Sequence, residues 1–488
     1  MNPFKILLVY PNLQLINLIP TNIGLLSACL KQEGFDVKVF DTTLYKTQEQ
    51  SEDERRVELG HYKSTTKVQY KKANVFADFK KLVKEYKPNF IGVSTVDSTH
   101  ELGVKLIEAA NPECSVIFGG VYPTFAPHKV ISHPCIDYVC VGEGEEALVN
   151  LVKAYRDGIP WNSNNIITNN NPEIKMGHVV DLNRLPNEDF TVFDDERFLR
   201  PMQGKDKRML PIMIDRGCPY KCSFCAEPNL KKLYNNYEAG NNFRVKKLPV
   251  IKKYMKQMIS KYKPEYIYFN SETFFARPEN HIEEFANFYK NEINLPFCCM
   301  TRIETITDRR IKALKDMGCD RISFGLEHGN EKFRKDVLDK PFTNKQIYDG
   351  FKILSKYEIP VSLFNIIGFP DETRELIFDT IKINQGLIKQ YPENKITFSV
   401  SIFQPYQSAP LRSYCIKKGY LDRDTEAGSL TTESILDMPQ LPAKEINGLL
   451  RTFTLYVQLP KSFYPDIKKA ETCDKTFEKL RKILLEKF

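Results

Sequence analysis

Asp215-Arg216-Gly217-Cys218-Pro219-Tyr220-Lys221-Cys222-Ser223-Phe224-Cys225 holds three cysteines at the spacing C-x3-C-x2-C. Three thiolates on one tight loop can converge on a single centre, and Gly217 and Pro219 help to shape the turn. Structural zinc takes four protein ligands, and no fourth Cys or His follows within reach in sequence. A four-iron cluster held by three cysteines keeps one iron open for a small molecule, and such clusters are ordinarily held by thiolates. Three packed thiols or three zinc-binding thiols are the alternatives.

Working outward, the loop leaves an apolar run, Ile212–Asp215. Further strand-sized runs follow at Tyr266–Phe269, Phe297–Met300, Arg321–Gly325, Val361–Ile367 and Ile396–Ile402, with helical segments between them. Six such units across residues 206–421 predict a partial (β/α)6 barrel, and barrels of parallel strands carry their sites at the strands' C-terminal ends. Upstream, residues 1–156 alternate apolar strands (Lys5–Tyr10, Val37–Phe40, Phe90–Ser94, Ser115–Phe118, Tyr138–Val141) with helices. That pattern predicts an α/β, doubly wound, Rossmann-like domain with a parallel sheet. The polar run 46–72 reads as an insertion or loop, residues 157–205 as a linker, and 422–488 as a mainly helical C-terminal region.

The 488-residue chain is 42% apolar and 27% charged, an ordinary globular usage. Lys plus Arg number 70 against 62 acids, and this diffuse +8 does not argue for nucleic acid. No apolar run approaches the ~18 residues of a membrane span, and the N-terminal run is too short for a signal peptide. The expectation is a cytoplasmic protein whose 12 cysteines are thiols or metal ligands rather than bridges.

The cysteine loop, with aromatic Phe224 before its third cysteine, resembles the signature of the radical S-adenosylmethionine (radical SAM) superfamily. The resemblance implies a 4Fe-4S cluster on Cys218, Cys222 and Cys225. SAM would chelate the open iron, and its reductive cleavage to methionine would yield a 5′-deoxyadenosyl radical. Downstream, Asn270-Ser271-Glu272-Thr273 resembles the segment that holds the SAM amino group, without its usual glycines. Met300-Thr301-Arg302 follows the third strand, and Gly325-Leu326-Glu327-His328-Gly329 resembles a G-x-E-x-G segment near the SAM ribose. Gly368-Phe369-Pro370-Asp371-Glu372-Thr373 resembles the G-x-P-G-E-T turn with Asp371 in place of glycine. Phe224, Ser271, Glu272, Arg302 and Glu327 are therefore the SAM-binding candidates. After the sixth strand, Gln407-Ser408-Ala409-Pro410-Leu411 departs from P-G-T-P-L.

The N-terminal half lacks G-x-G-x-x-G after its first strand, against a dinucleotide site. Val116 to Leu151, Gly24-Leu25-Leu26 and Asp181 to Pro186 closely resemble cobalamin-dependent radical SAM proteins. The resemblance implies a cobalamin site formed by Ser94, Thr95 and Val96, by the pair Gly119 and Gly120, and by Gly142, Glu143 and Gly144. The D-x-H-x-x-G motif of a cobalt-ligating histidine is absent after the first strand. His100, in a D-x-x-H-x-x-G run after the third, is the one candidate ligand, against a cobalt without a histidine.

The resemblance implies a methyltransferase using one SAM to methylate cobalamin and a second to make a radical on an unactivated carbon or phosphorus. Its substrate would be a small molecule or a peptide, and its electron donor a flavodoxin or ferredoxin. The alternatives are a cyclase, ring-contracting or oxidative enzyme with the same cofactors, and a zinc-knuckle RNA-binding protein. No catalytic residue is assigned; Tyr220, Cys298, Cys299 and Tyr406 are candidates to face the cavity.

Overall fold

The structure, a computed structural model, describes residues 3–14, 18–61, 69–161, 164–202, 204–392 and 395–486. Residues 62–68 of the polar run 46–72 lie outside the described residues; within the rest, Glu52–Glu58 is a helix closed by a Ser51–Glu54 capping box.

The N-terminal sheet contains β1 (Lys5–Tyr10), β2 (Asp36–Asp41), β3 (Phe90–Ser94), β4 (Ser115–Gly119), β5 (Tyr138–Cys140) and β6 (Ile166–Ile167). Its order is β2-β1-β3-β4-β5-β6, parallel except for β6. Both faces are covered, which explains the unbroken apolar strands. Leu7, Val9, Ile91, Val93 and Phe118 fall in one core cluster, and Ile6, Leu8 and Ile117 in the other.

The second sheet contains β7 (Leu199–Met202), β8 (Lys205–Ile212), β11 (Tyr266–Phe269), β12 (Phe297–Thr301), β13 (Cys319–Glu327), β14 (Val361–Ile367) and β15 (Ile396–Ile402). Between β8 and β11, the two-residue β9 (Asp215–Arg216) and β10 (Arg244–Val245) pair antiparallel. The six strands from β8 to β15 run parallel, and β7 folds back antiparallel on β8. The first barrel strand is thus Lys205–Ile212 rather than Ile212–Asp215. Its opening Lys-Asp-Lys-Arg belongs to an edge hairpin, where charged side chains reach solvent and the apolar signal is lost. β6 and β7 both fall within the 157–205 stretch, so each sheet gains an antiparallel edge strand from it.

In β14, residues alternate between fully and partly buried, one set packing outward on helices and the other lining the barrel lumen. After residue 421 the chain is irregular to 442, then forms helices Ala443–Gln458, Tyr464–Ala470 and Asp474–Glu486. Among the described residues no helix is long and apolar enough to cross a membrane.

Candidate functional site

The cysteine loop sits above the C-terminal ends of the barrel strands. Gly217 has φ +81°, and a Cβ there would stand 2.4 Å from the Asn242 carbonyl oxygen, so only glycine fits the turn. The Cys218 amide donates to Glu227 (2.8 Å), which also accepts from Asn242 Nδ2. Ser223 is pinned by a bond from its hydroxyl to the Val337 carbonyl (2.6 Å), and the Leu411 amide donates to the Ser223 carbonyl. Arg302 Nη1 donates to Cys222 Sγ at 2.8 Å, and its guanidinium lies 4.0 Å over the Tyr220 ring. Cys218 Sγ is 3.6 Å from the Thr273 hydroxyl. Burial pushes the Cys225 thiol up to about 12, so drawing off its proton needs a bound cation. Among the described residues no three His, Cys, Asp or Glu side chains could hold one metal ion; a cubane, whose thiolates ligate separate irons, asks for a wider spread. All twelve cysteines are free.

The segments expected to hold SAM surround this loop. Glu272 is open to solvent yet crowded by protein; burial first, then Glu227 and Asp215, push its carboxyl up to about 7. Ser271 is buried and its hydroxyl lacks a partner. Glu327, at φ +61°, is paired with Lys340 (2.8 Å), whose ammonium also donates to the Gly325 carbonyl. Phe224 packs on Phe369 at 5.8 Å. Asp371 takes φ +62°, the backbone shape for which the family turn uses glycine, and its carboxylate accepts from the Tyr414 and Tyr420 hydroxyls. Glu372 accepts from the Gly368 and Phe369 amides and stands 3.0 Å from His328 Nε2, both side chains fully buried. The Asn330 amide donates to His328 Nδ1, leaving the ring proton on Nε2, towards Glu372.

At the C-terminal edge of the N-terminal sheet, Gly120 has φ +105°, and a Cβ would stand 2.5 Å from the Thr95 carbonyl oxygen. The Thr95 amide donates to the Gly119 carbonyl, and Asn22 Nδ2 donates to Ser94 Oγ (3.0 Å). Val96, on the loop after β3, and Val121, the first residue of the short helix Val121–Phe125 after β4, are 45% and 36% exposed. Large apolar side chains left open beside a glycine pair form a surface suited to a flat organic ligand.

The radical SAM superfamily matches residues 212–383, and the B12 binding domain matches residues 17–152. The chain belongs to the cobalamin-dependent radical SAM family. An uncharacterized methyltransferase of Pyrococcus horikoshii is 25% identical over 408 residues, covering 80% of this chain and 83% of that protein. The anaerobic magnesium-protoporphyrin IX monomethyl ester cyclase of Rubrivivax gelatinosus is 22% identical, covering 61% of this chain and 54% of that protein. The fold is also that of the radical SAM methyltransferase TsrM from Kitasatospora setae, at TM-score 0.63, 17% identity, 85% of this chain and 75% of that one. The cobalamin-dependent SAM radical enzyme OxsB aligns at TM-score 0.66 and 14% identity, over 99% of this chain and 72% of that one. The family's cofactors are cobalamin, SAM and an iron–sulfur cluster.

For a cobalamin-dependent radical SAM protein, the remaining candidates sort by position. Glu143 does not present a free carboxylate to the B12 edge. It pairs with Arg216 (2.9 Å) and Arg244, and accepts from the Val180 amide. Burial opposes its ionisation, but the two guanidiniums hold its carboxyl below the usual range. Arg216 also pairs with Glu145 (2.6 Å), so the loop after β5 is tied to β9, two residues before Cys218. Gly142 has φ +82° beneath Met176, whereas a Cβ at Gly144 would have room, its nearest neighbours 3.7 Å away. His100 is buried and stacked on Tyr122 at 4.5 Å, with Nδ1 3.4 Å from Thr95 Oγ1 and Nε2 unpartnered. Burial lowers its pKa to about 4, leaving a neutral imidazole. Cys298 and Cys299 border the barrel lumen, and burial pushes Cys298 up to about 12, a protonated thiol at neutral pH. Tyr406 is half-buried in the loop after β15. Sequence reading missed Asp97, which accepts from the Gln407 amide at 2.7 Å, and Glu426, which accepts from the Tyr122 hydroxyl at 2.7 Å. Their partners are hundreds of residues distant, so no local pattern marks them.

Proposed function

We propose that this enzyme is a cobalamin-dependent radical SAM methyltransferase acting on an unactivated carbon or phosphorus. The observation that carries the reading is that the C-terminal edges of the two sheets face each other. The β3 loop meets the barrel's last loop through Asp97 and Gln407. The β5 loop meets the cysteine loop through Glu143 and Arg216, and Asn270 Nδ2 donates to Thr21 Oγ1 at 3.1 Å. A methyl carrier on one edge and a radical generator on the other then share one enclosed space, which a transfer between them requires.

When bound, the cluster and SAM supply the hydrogen-abstracting radical, and cobalamin supplies the methyl group. The chain's own residues orient and shield. Cys218, Cys222 and Cys225 would hold the cluster, with Arg302 Nη1 donating to Cys222 Sγ. The Ser271 hydroxyl and Glu272 take the SAM amino group. The Glu327–Lys340 pair borders the place for its ribose. Val96, Val121 and the glycines at 119, 120 and 144 accept the corrin. Tyr122 and Lys129 of the N-terminal domain hold Glu426 of the C-terminal region against it. The reductant is a flavodoxin or ferredoxin.

The test is incubation of the anaerobically reconstituted enzyme with methyl-labelled SAM, reductant and a metabolite extract. A product gaining one labelled CH2 unit is expected. Sustained 5′-deoxyadenosine formation with no labelled product would overturn methyl transfer and favour the cyclase reading that the Rubrivivax gelatinosus relative suggests.

A further inference from the structure

Below the cysteine loop a cavity of about 1480 Å3 opens in the barrel, its wall completed by residues of the N-terminal domain and of the C-terminal helices. It is bordered at mid-height by Tyr268, Met300 and Phe364, and at the strands' N-terminal ends by Met209 and Arg321. Charge is distributed unevenly on its wall. The described lining residues include Arg200, Arg321, Lys389, Lys395 and Lys461 but one carboxylate, Asp53. Lys395 is paired with Glu358 outside the cavity at 2.7 Å. Among the described residues Arg321 is not paired with any acid: its Nη1 donates to the Val361 carbonyl, Ser362 Oγ and Thr397 Oγ1 at 3.1–3.2 Å, all neutral acceptors. Its Nε and Nη2 have no protein partner among the described residues. Arg200, on the β7 edge, makes no hydrogen bond or ion pair there and lies 5.9 Å from the Tyr268 ring. Asp53 lies within electrostatic reach of Arg200, whereas Arg321 has no acid beside it among the described residues; such a guanidinium in a partly apolar cavity bears a desolvation cost that a bound anion offsets, and its planar fork suits carboxylate or phosphate.

We propose that the lower lumen seats the anionic end of the substrate, which is therefore an elongate, largely apolar carboxylate or phosphate. This substrate class rests on the enzymatic reading above. From the level of Arg321 to that of Glu327 along β13 is six residues, about 20 Å of strand at the usual rise. A molecule anchored at Arg321 and lying along Met300 and Phe364 directs its far end towards the cysteine loop. The anchor then selects by head-group charge and length, and the reacting atom is distant from the anion.

The test measures binding to the reconstituted holoprotein by titration calorimetry, without SAM or reductant, so that its outcome is independent of methyl transfer. The probes are decanoate, decyl phosphate and decyltrimethylammonium, each below its micelle-forming concentration. The two anions are expected to bind one per chain, the tighter of them naming the head group, and the cation to bind at least tenfold more weakly. Arg321→Gln and, independently, Arg200→Gln should each weaken anion binding at least tenfold, while Arg321→Lys retains most of it. Corrinoid and cluster absorbance of each variant reports its folding. Equal binding of the cation, or undiminished anion binding by both glutamine variants, would overturn the proposal. Anion binding lost in the variants together with an absence of methyl-labelled products would sink the methyltransferase reading and leave the lumen site standing.

Discussion

At the residue scale, the cluster loop depends on positions with little freedom. Gly217→Ala forces a Cβ against the Asn242 carbonyl and a left-handed backbone on an L-residue, at a cost of about 1–2 kcal/mol before the clash is counted. Reduced iron content per chain after reconstitution, with unchanged cobalamin binding, is the expected result. Asp189 offers a test by pH. Burial alone would raise its carboxyl, but Lys31 and Thr191 hold it down to about 2, and it also accepts from Ser27 Oγ. A depressed folded-state pKa stabilises fully above the unfolded value near 4 and ceases to as pH falls through about 2. Asp189→Asn should therefore cost about 1–2 kcal/mol in urea unfolding at pH 6 and close to nothing near pH 2. An equal cost at both pH values would show that the ion pair is not its source.

At the element scale, the apolar runs of β1, β3, β11, β14 and β15 were legible at nearly their observed limits. Strands covered on both faces, or packed on helices with alternate residues, concentrate β-branched and aromatic residues. β7 and all of β8 but its last residue, Ile212, were not, because Arg200, Pro201 and the charged Lys205–Arg208 run sit on a solvent-facing hairpin without alternation. β6 and β9 are two residues long and exist only through their partners. Among site features, the cysteine spacing was fully legible, as was the downstream order of segments. The Glu143–Arg216–Arg244 joint and the lumen cations were not, since folding brings them together over 73 and 101 residues or more. The β14 turn shows how a departure from the family pattern becomes intelligible. Asp371 occupies the glycine position because aspartate tolerates a left-handed backbone and its carboxylate binds two tyrosines. Asp371→Asn should leave stability within about 0.5 kcal/mol, whereas Asp371→Ala should cost about 2 kcal/mol, having lost both hydrogen bonds and the tolerance. Chemical denaturation of the two variants checks this; equal costs would contradict it.

At the scale of the whole molecule, the two cofactor domains are joined by buried charge beside the cysteine loop. Glu143→Ala leaves Arg216 and Arg244 short of a partner and should destabilise by roughly 3 kcal/mol, as removal of one member of a buried pair does. The loss should be visible as faster limited proteolysis between residues 157 and 205. Enclosure of two cofactors between facing sheet edges is the central claim. Its most direct measurement is the ultraviolet–visible spectrum of one anaerobic preparation reconstituted with iron, sulfide and cobalamin, taken alongside SAM-cleavage assays. The wild-type chain should show a broad iron–sulfur band together with corrinoid bands. The variant with Cys218, Cys222 and Cys225 changed to Ala should lose the first band and 5′-deoxyadenosine formation while keeping the second. Corrinoid bands missing from the wild type, or 5′-deoxyadenosine still formed by the triple variant, would contradict the account.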